Sequence, residues 1–225
     1  MKSVYVVIPV YNEATVVGSV IEEVCKQYPN VVGVDDGSRD NSGEEIKKAG
    51  GILVQHAVNV GQGGALQTGI DYALKDKEAE YLVTYDADGQ HSLKDVGHML
   101  DVIQKEKVDI VLGSRFLGKT ERLSPLKKVI LKLAIQFSNH TSGLKLTDTH
   151  NGLRVFNRHF AENLNIQNPD FSHASEIIDK IARGNYKYCE VPVTIKYTDY
   201  SKAKGQSIFN AVNMGFDILL GRIIK

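Results

Sequence analysis

Tryptophan is absent from this 225-residue chain, cysteine occurs twice and proline five times. Cys25 and Cys189 lie too far apart for a CxxC pair or a metal finger, and each falls in an apolar pattern, so both read as small core residues. With no dense cysteine framework, a reducing cytoplasm is the expected compartment. No run of 18 apolar residues occurs, which predicts no membrane-spanning helix. The N-terminal apolar run, Val4 to Val10, is too short for a secretory signal and lacks a cleavage site. Low-complexity tracts and internal repeats are also missing.

What remains is an ordinary globular composition, with 42% hydrophobic and 24% charged residues. The length suits a single domain over residues 1–225. Formal charge is zero, yet it is unevenly spread. Lys119 to His140 holds five Lys/Arg against one acid, and Lys196 to Lys225 five against two. The first half is correspondingly acidic, and the basic second half suggests an anionic surface nearby. No nucleic-acid partner is expected, and the sequence is silent on oligomeric state.

The first 115 residues alternate strand and helix patterns. Val4–Pro9, Val31–Val34, Ile52–Gln55, Tyr81–Tyr85 and Ile110–Leu112 read as strands. Between them, Glu13–Tyr28 (with Asn12 as N-cap), Asn41–Ala49, Gly61–Leu74 and Leu93–Gln104 read as helices. This order predicts an α/β fold with a doubly wound, mostly parallel sheet. Beyond Arg115, Leu123, Leu126, Ile130, Leu133 and Phe137 form an apolar helical stripe. Leu153–Phe156 and Lys187–Ile195 read as strands flanking a helix at His173–Arg183. Ser207–Ile224 reads as a second amphipathic helix, interrupted by polar residues and so suited to a surface.

Ligands bind at the carboxyl ends of strands in an open parallel sheet. Three clusters fall there. Asp35-Asp36-Gly37-Ser38 could hold a base or ribose, or be a plain turn. In Asp86-Ala87-Asp88-Gly89-Gln90-His91, carboxylates at i and i+2 of extended chain point the same way, which repels unless a cation lies between them. A hard divalent ion, Mg²⁺ or Mn²⁺, would take both, with Gln90 as a neutral oxygen and sites left for phosphates. Asn59-Val60-Gly61-Gln62-Gly63-Gly64 opens a helix, where glycines could admit a phosphate to backbone N–H groups. It matches neither a P-loop nor GxGxxG, which excludes a dinucleotide-dependent reductase of the usual pattern.

Several motifs in fixed order carry a resemblance. Pro9-Val10-Tyr11-Asn12-Glu13, Val34-Asp35-Asp36-Gly37-Ser38 and Asp86-Ala87-Asp88 resemble the family 2 glycosyltransferases of the GT-A fold. Asn59-x-Gly61, Gly113-Ser114-Arg115, Asp148-x-x-x-Gly152-x-Arg154, Glu190-Val191-Pro192 and Gly205-Gln206-Ser207 are similar to the branch of dolichyl-phosphate mannose synthase and bacterial polyprenyl-phosphate glycosyltransferases. The resemblance implies a nucleotide-sugar half (1–115) and an acceptor-side half (116–225). It implies Pro9, Tyr11 and Glu13 beside the base, Asp35 and Asp36 on base or ribose, and Gly61 and Gly63 in the donor site. Asp86, Asp88 and Gln90 would hold the metal, while Arg115, Arg154 and Lys204 approach anionic groups.

The chemistry implied is inverting transfer from a nucleotide sugar, UDP being the commoner choice, to a polyprenyl phosphate for cell-envelope glycans. A saccharide acceptor would instead need a base, for which Asp148, His91 and His150 are candidates. A nucleotidyltransferase or a non-catalytic sugar-nucleotide binder are the alternatives of other classes. Relatives often carry Arg in the late loop where this chain has Lys202 and Lys204. Some also carry C-terminal membrane spans. Here the amphipathic helices, or a small membrane-protein partner, would bring the protein to the inner face of the membrane.

Overall fold

The computed structural model describes residues 3–121, 125–170 and 172–196. The anticipated helix at Ser207–Ile224 and the loop with Lys202 and Lys204 lie outside them. Seven strands and seven helices follow one another among the described residues: β1 (Ser3–Val10), α1 (Val17–Cys25), β2 (Asn30–Asp35), α2 (Ser42–Lys48), β3 (Ile52–Gln55), α3 (Gln62–Leu74), β4 (Ala79–Thr84), α4 (Leu93–Glu106), β5 (Ile110–Glu121), α5 (Pro125–Ser142), β6 (Arg154–Asn157), α6 (Arg158–Leu164), α7 (His173–Arg183) and β7 (Tyr188–Lys196).

They build one sheet in the order β3-β2-β1-β4-β6-β5-β7. Alternate residues of β1 enter two cores. Val6, Ile8 and Val10 pack with α1, α2 and α4. Tyr5 and Val7 pack with α3, α6 and α7 on the opposite face. Burial on both faces explains the unbroken apolar run, since each fully buried Val or Ile contributes roughly 1.5–3 kcal/mol. Cys25 and Cys189 are half-buried against the first core, and burial raises both thiol pKa values.

The sheet is parallel except at β6, which runs antiparallel to β4 and to β5. That reversal sets Arg154, at the start of β6, opposite Thr84 at the end of β4 and Leu112 of β5. A parallel β6 would have put Asn157 at that rim.

Four details differ from the sequence reading. The first helix starts at Val17, not Glu13, because the Glu13 carbonyl takes the N–H groups of Val16 and Val17 in a turn. Asn12 does not cap it: at φ 53° its side chain accepts from Arg39 N instead. β5 runs on to Glu121, with its pairing to β7 broken between Ser114 and Lys119. Among the described side chains of α5, those buried are Leu131, Ile135 and Ser138, and the helix packs against α7. Leu133 of the anticipated stripe is 60% exposed, and Val129 is 55% exposed. Leu123 and the Leu126 side chain lie outside the description.

Gly69 lets α3 seat on the sheet, since a Cβ there would collide with the Val7 side chain. Alanine improves helix propensity by about 1 kcal/mol. Overpacking against a central strand costs about 1–3 kcal/mol, so Gly69→Ala is expected to be net destabilising. A lower urea midpoint at unchanged m-value checks this, and an unchanged or higher midpoint would refute it.

Candidate active site

The carboxyl ends of β1, β2 and β4 meet at one rim. Pro9 sits in register with Val34, and beyond it Tyr11 is 41% exposed. The Glu13 N–H donates to Ser42 Oγ (2.8 Å), which brings Glu13 close enough to Asp88 for their charges to interact. Asp35 and Asp36 end β2 and are both buried. Asp35 accepts from Ser38 N (3.0 Å) and Gln55 Nε2 (2.9 Å). Asp36 accepts from Val60 N (2.9 Å) and Gly61 N (2.8 Å), and its carboxylate is 2.7 Å from His56 Nδ1. Its carboxylate therefore ties the 56–61 loop to β2.

Two of the glycine amides in this loop are engaged. Gly61 N–H serves Asp36, and Gly63 N–H donates to Pro169 O (2.6 Å). Gly61 has φ 93°, which side chains rarely adopt, and Cβ atoms at 61 and 63 would strike the backbone at 168–169. In this structure the glycines permit close packing of that segment.

Asp86 and Asp88 follow β4. The Asp86 side chain is 30% exposed and receives His91 Nε2 at 2.8 Å. Gln62 Nε2 lies 3.4 Å from its other oxygen. Its carboxylate rests on Gly152, where any Cβ would collide with it, and Thr84 Oγ1 donates to Gly152 O (2.6 Å). Burial pushes the Asp86 carboxyl up, but the His91 hydrogen bond and charge, with Arg154 beyond, more than reverse this. Asp88 accepts Gln90 N (3.1 Å) yet is pushed up to about 6, by burial first and then by the Asp86 charge. Gln90 is anchored through its carbonyl, which accepts Lys196 N (3.1 Å). Among the described residues no group of three or more His, Cys, Asp or Glu is arranged to hold a metal ion.

The cations come from the far end of the chain. Arg154 is buried, and burial lowers it to about 10, so it stays charged at neutral pH; the charges of Asp86 and Asp148 act against that lowering. Arg115, in β5 where its pairing with β7 breaks, donates to Asp148 Oδ2 through both its backbone N (3.0 Å) and Nε (2.6 Å), and through Nη2 to His150 O (2.8 Å). Asp148 is buried, so this is a desolvated ion pair.

The structure thus gathers Glu13, Asp86, Asp88, Arg154, Asp148 and Arg115 along one rim. Asp35 and Asp36 stand behind it, and Lys204 is outside the described residues. Sequence reading missed Gln62, His173 and the steric part of Gly152. Their only signal was proximity to motifs, because each meets Asp86 through a long-range contact or field.

Two imidazoles flank this rim. His150 is lowered to about 4, mainly by burial, with Nδ1 at Thr149 Oγ1 (2.8 Å) and Nε2 unpartnered. His173 is also lowered to about 4, by burial and then Arg154, and Nδ1 donates to Asp170 O (2.7 Å). Both lie below the unfolded value near 6.5, so unfolding takes up protons as pH falls from about 6.5 towards 4. Each contributes up to about 1.4 kcal/mol per pH unit of lost stability in that window. The raised carboxyls of Asp88 and Glu190 work in the opposite sense: Asp88 offsets about one of the two protons below about pH 6, and Glu190 offsets part of the other. Metal-free protein is therefore expected to lose urea resistance in the upper part of this window, as pH falls from about 6.5 to 6, before the two carboxyls take up protons. A midpoint that stays flat or rises would contradict neutral, buried imidazoles.

Comparison with known proteins bears on this geometry. The family described as glycosyl transferase family 2 matches residues 5–164. An uncharacterized protein of Methanocaldococcus jannaschii is 35% identical, over 98% of this chain and 92% of its own length. The UDP-N-acetylglucosamine–dolichyl-phosphate N-acetylglucosaminyltransferase of Methanococcus voltae is 30% identical, over 100% of this chain and 98% of its own. Polyprenol monophosphomannose synthase of Mycolicibacterium smegmatis is 29% identical over 92% and 83%. Among solved structures, glucosyl-3-phosphoglycerate synthase from Mycobacterium tuberculosis with Mn²⁺ and UDP-glucose superposes with a TM-score of 0.69. It covers 98% of this chain and 79% of that one at 16% identity, a likeness of GT-A fold.

Proposed function

The chain belongs to glycosyl transferase family 2, and on that premise we propose that it transfers a sugar from a UDP-sugar to a polyprenyl phosphate. The relatives named for dolichyl-phosphate and polyprenol acceptors support the acceptor class. The observation that carries the proposal is the state of the three groups that could act as a base. Asp148 is paired with Arg115, His91 is bound to Asp86, and His150 is buried with its free nitrogen sealed. A sugar hydroxyl would need a proton acceptor, whereas a phosphate monoester arrives ionised and needs cations to orient it. Arg115 and Arg154 are fixed cations beside the carboxylates.

The donor set fits Mg²⁺ or Mn²⁺. Burial and then the Asp86 charge raise the Asp88 carboxyl, and Gln90, whose backbone N–H binds Asp88, would add a neutral side-chain oxygen. Two carboxylates make an incomplete cage, the pattern of a hard ion completed by phosphate oxygens. When bound, the metal would offset the negative charge that develops on the departing nucleoside diphosphate. Asp36 and Asp35 hold the loops around the nucleotide, Tyr11 offers an aromatic face, and Gly152 keeps Asp86 in place. Arg154 balances the carboxylates in the absence of the donor. Attack from the opposite face would invert the anomeric carbon.

Among the described residues no helix is long and apolar enough to cross a membrane. On α5, exposed Val129 and Leu133 lie beside exposed Lys128 and Lys132. Such a face suits an anionic bilayer surface, where each Lys adds about 1 kcal/mol. We place the protein on the cytoplasmic face of the membrane, by this helix or with a small membrane-protein partner.

The test is transfer of labelled sugar from UDP- and GDP-sugars to undecaprenyl phosphate in detergent, with Mg²⁺, Mn²⁺ or EDTA. A chloroform-soluble, metal-dependent product is expected. Donor binding or hydrolysis without lipid labelling would remove the lipid acceptor and favour a saccharide one.

A further inference from the structure

Glu190 lies on β7, in register with Leu112 of β5, three residues before Arg115. Its neighbours Val191, Val193 and Ile195 face the first core, so Glu190 projects to the other side of the sheet. There its carboxylate meets the chain leaving α5. Thr147 N donates to both oxygens (2.9 and 2.8 Å), Thr147 Oγ1 to one (3.1 Å) and Asp148 N to the same one (3.0 Å). Thr147 Oγ1 also lies 2.7 Å from Ser114 Oγ, next to Arg115. Burial raises the Glu190 carboxyl despite these donors.

The turn held this way is the one that grips Arg115. Asp148 takes its backbone N and Nε, His150 O takes Nη2, and Asp148 Oδ1 takes His150 N (3.2 Å). A guanidinium on three rotatable carbons has no intrinsic aim, and here Asp148 and His150, two residues apart in one turn, supply it. We propose that Glu190 is a positioning residue: by clamping the N–H groups of Thr147 and Asp148 it sets the turn that aims Arg115 at the anionic group of the substrate. This rests on the glycosyl-transfer reading above. A carboxylate suits the role because it offers oxygens alone to donors alone. In Gln, one oxygen becomes an NH₂ facing N–H groups.

The test has two arms. In the first, the Arg115 Nε–H resonance, identified by its loss in Arg115→Lys, is followed by proton–nitrogen NMR. Its exchange with solvent is expected to accelerate at least tenfold in Glu190→Gln. In the second, kcat/KM is measured for Glu190→Gln, Arg115→Ala and the double variant. Misplacing a charge by about 1 Å can cost up to about 100-fold, so Glu190→Gln is expected to lose 10- to 100-fold. It should lose nothing further in the Arg115→Ala background. Should Glu190→Gln fail to fold, Thr147→Val removes one of the four contacts and is expected to shift both readouts in the same direction. Unchanged Arg115 exchange, or losses that multiply in the double variant, overturns the proposal. A wild type that transfers nothing overturns the glycosyl-transfer reading instead, and the NMR arm then still decides whether Glu190 governs Arg115.

Discussion

Asp88→Asn is expected to lower transfer about 1,000-fold while making the metal-free protein more stable. The two effects have one cause. Asp88 is ionised at pH 7.5 in a half-buried place beside the Asp86 charge, and its pKa is pushed up to about 6. A raised folded-state value in an acid means the carboxylate opposes folding above that pH, and relief comes only as pH falls from about 6 towards 3.8. Asparagine keeps the shape and removes the charge, so in EDTA the variant should gain on the order of 1 kcal/mol of stability and melt at a higher temperature. The same substitution removes an anionic ligand from the proposed metal site. Charge stabilisation by a metal amounts to several kcal/mol of barrier, and about 1.4 kcal/mol corresponds to tenfold in rate. Mn²⁺ should raise the wild-type melting temperature and leave that of the variant alone. Full activity in Asp88→Asn, or an equal Mn²⁺ shift in both proteins, would sink the assignment.

Asp148→Ala should be the most destabilising single change at the site. Removing one partner of a buried pair costs about 3–5 kcal/mol, since the other charge is left desolvated. Here Arg115 would lose the acceptor of both its backbone N and Nε, and buried Arg154 would lose an opposing charge. At 2–4 °C per kcal/mol for a chain of this size, the melting temperature should fall by about 10 °C. Arg115→Met in the same background is expected to restore most of that stability and none of the activity. A thermal scan of wild type, Asp148→Ala and the double variant decides it. If Asp148→Ala stays within about 1 kcal/mol of wild type, the pair is not the buried tie described above.

The elements visible in the sequence were those with enough residues to show a period. Runs such as Val4–Pro9 and stripes such as Leu93–Gln104 name their own class. Three apolar residues around Arg154, namely Leu153, Val155 and Phe156, look the same in either direction, so the antiparallel setting of β6 could not be read. α6 went unseen because seven residues with Phe160, Ala161 and Leu164 buried give too little repeat. The acids at 35, 36, 86 and 88 stood out because carboxylates abutting apolar strands are unfavourable without a reason. What surrounds them did not stand out. Gly152 beneath Asp86, Glu190 behind Asp148 and Pro169 on Gly63 are all joined across tens of residues.

The placement of β6 between β4 and β5 also sets an order of events at the ribosome. The strand that fills this place begins 70 residues after its neighbour ends, counting from Thr84 to Arg154. Until it emerges, β4 and β5 cannot be joined through it, and the nascent sheet presents open backbone at both edges of a gap. The same delay leaves Asp86 and Asp88 without the guanidinium of Arg154. During synthesis, therefore, the half-made domain carries an unzipped seam rimmed with negative charge. Such charge on an open edge discourages pairing with another chain until the correct strand arrives.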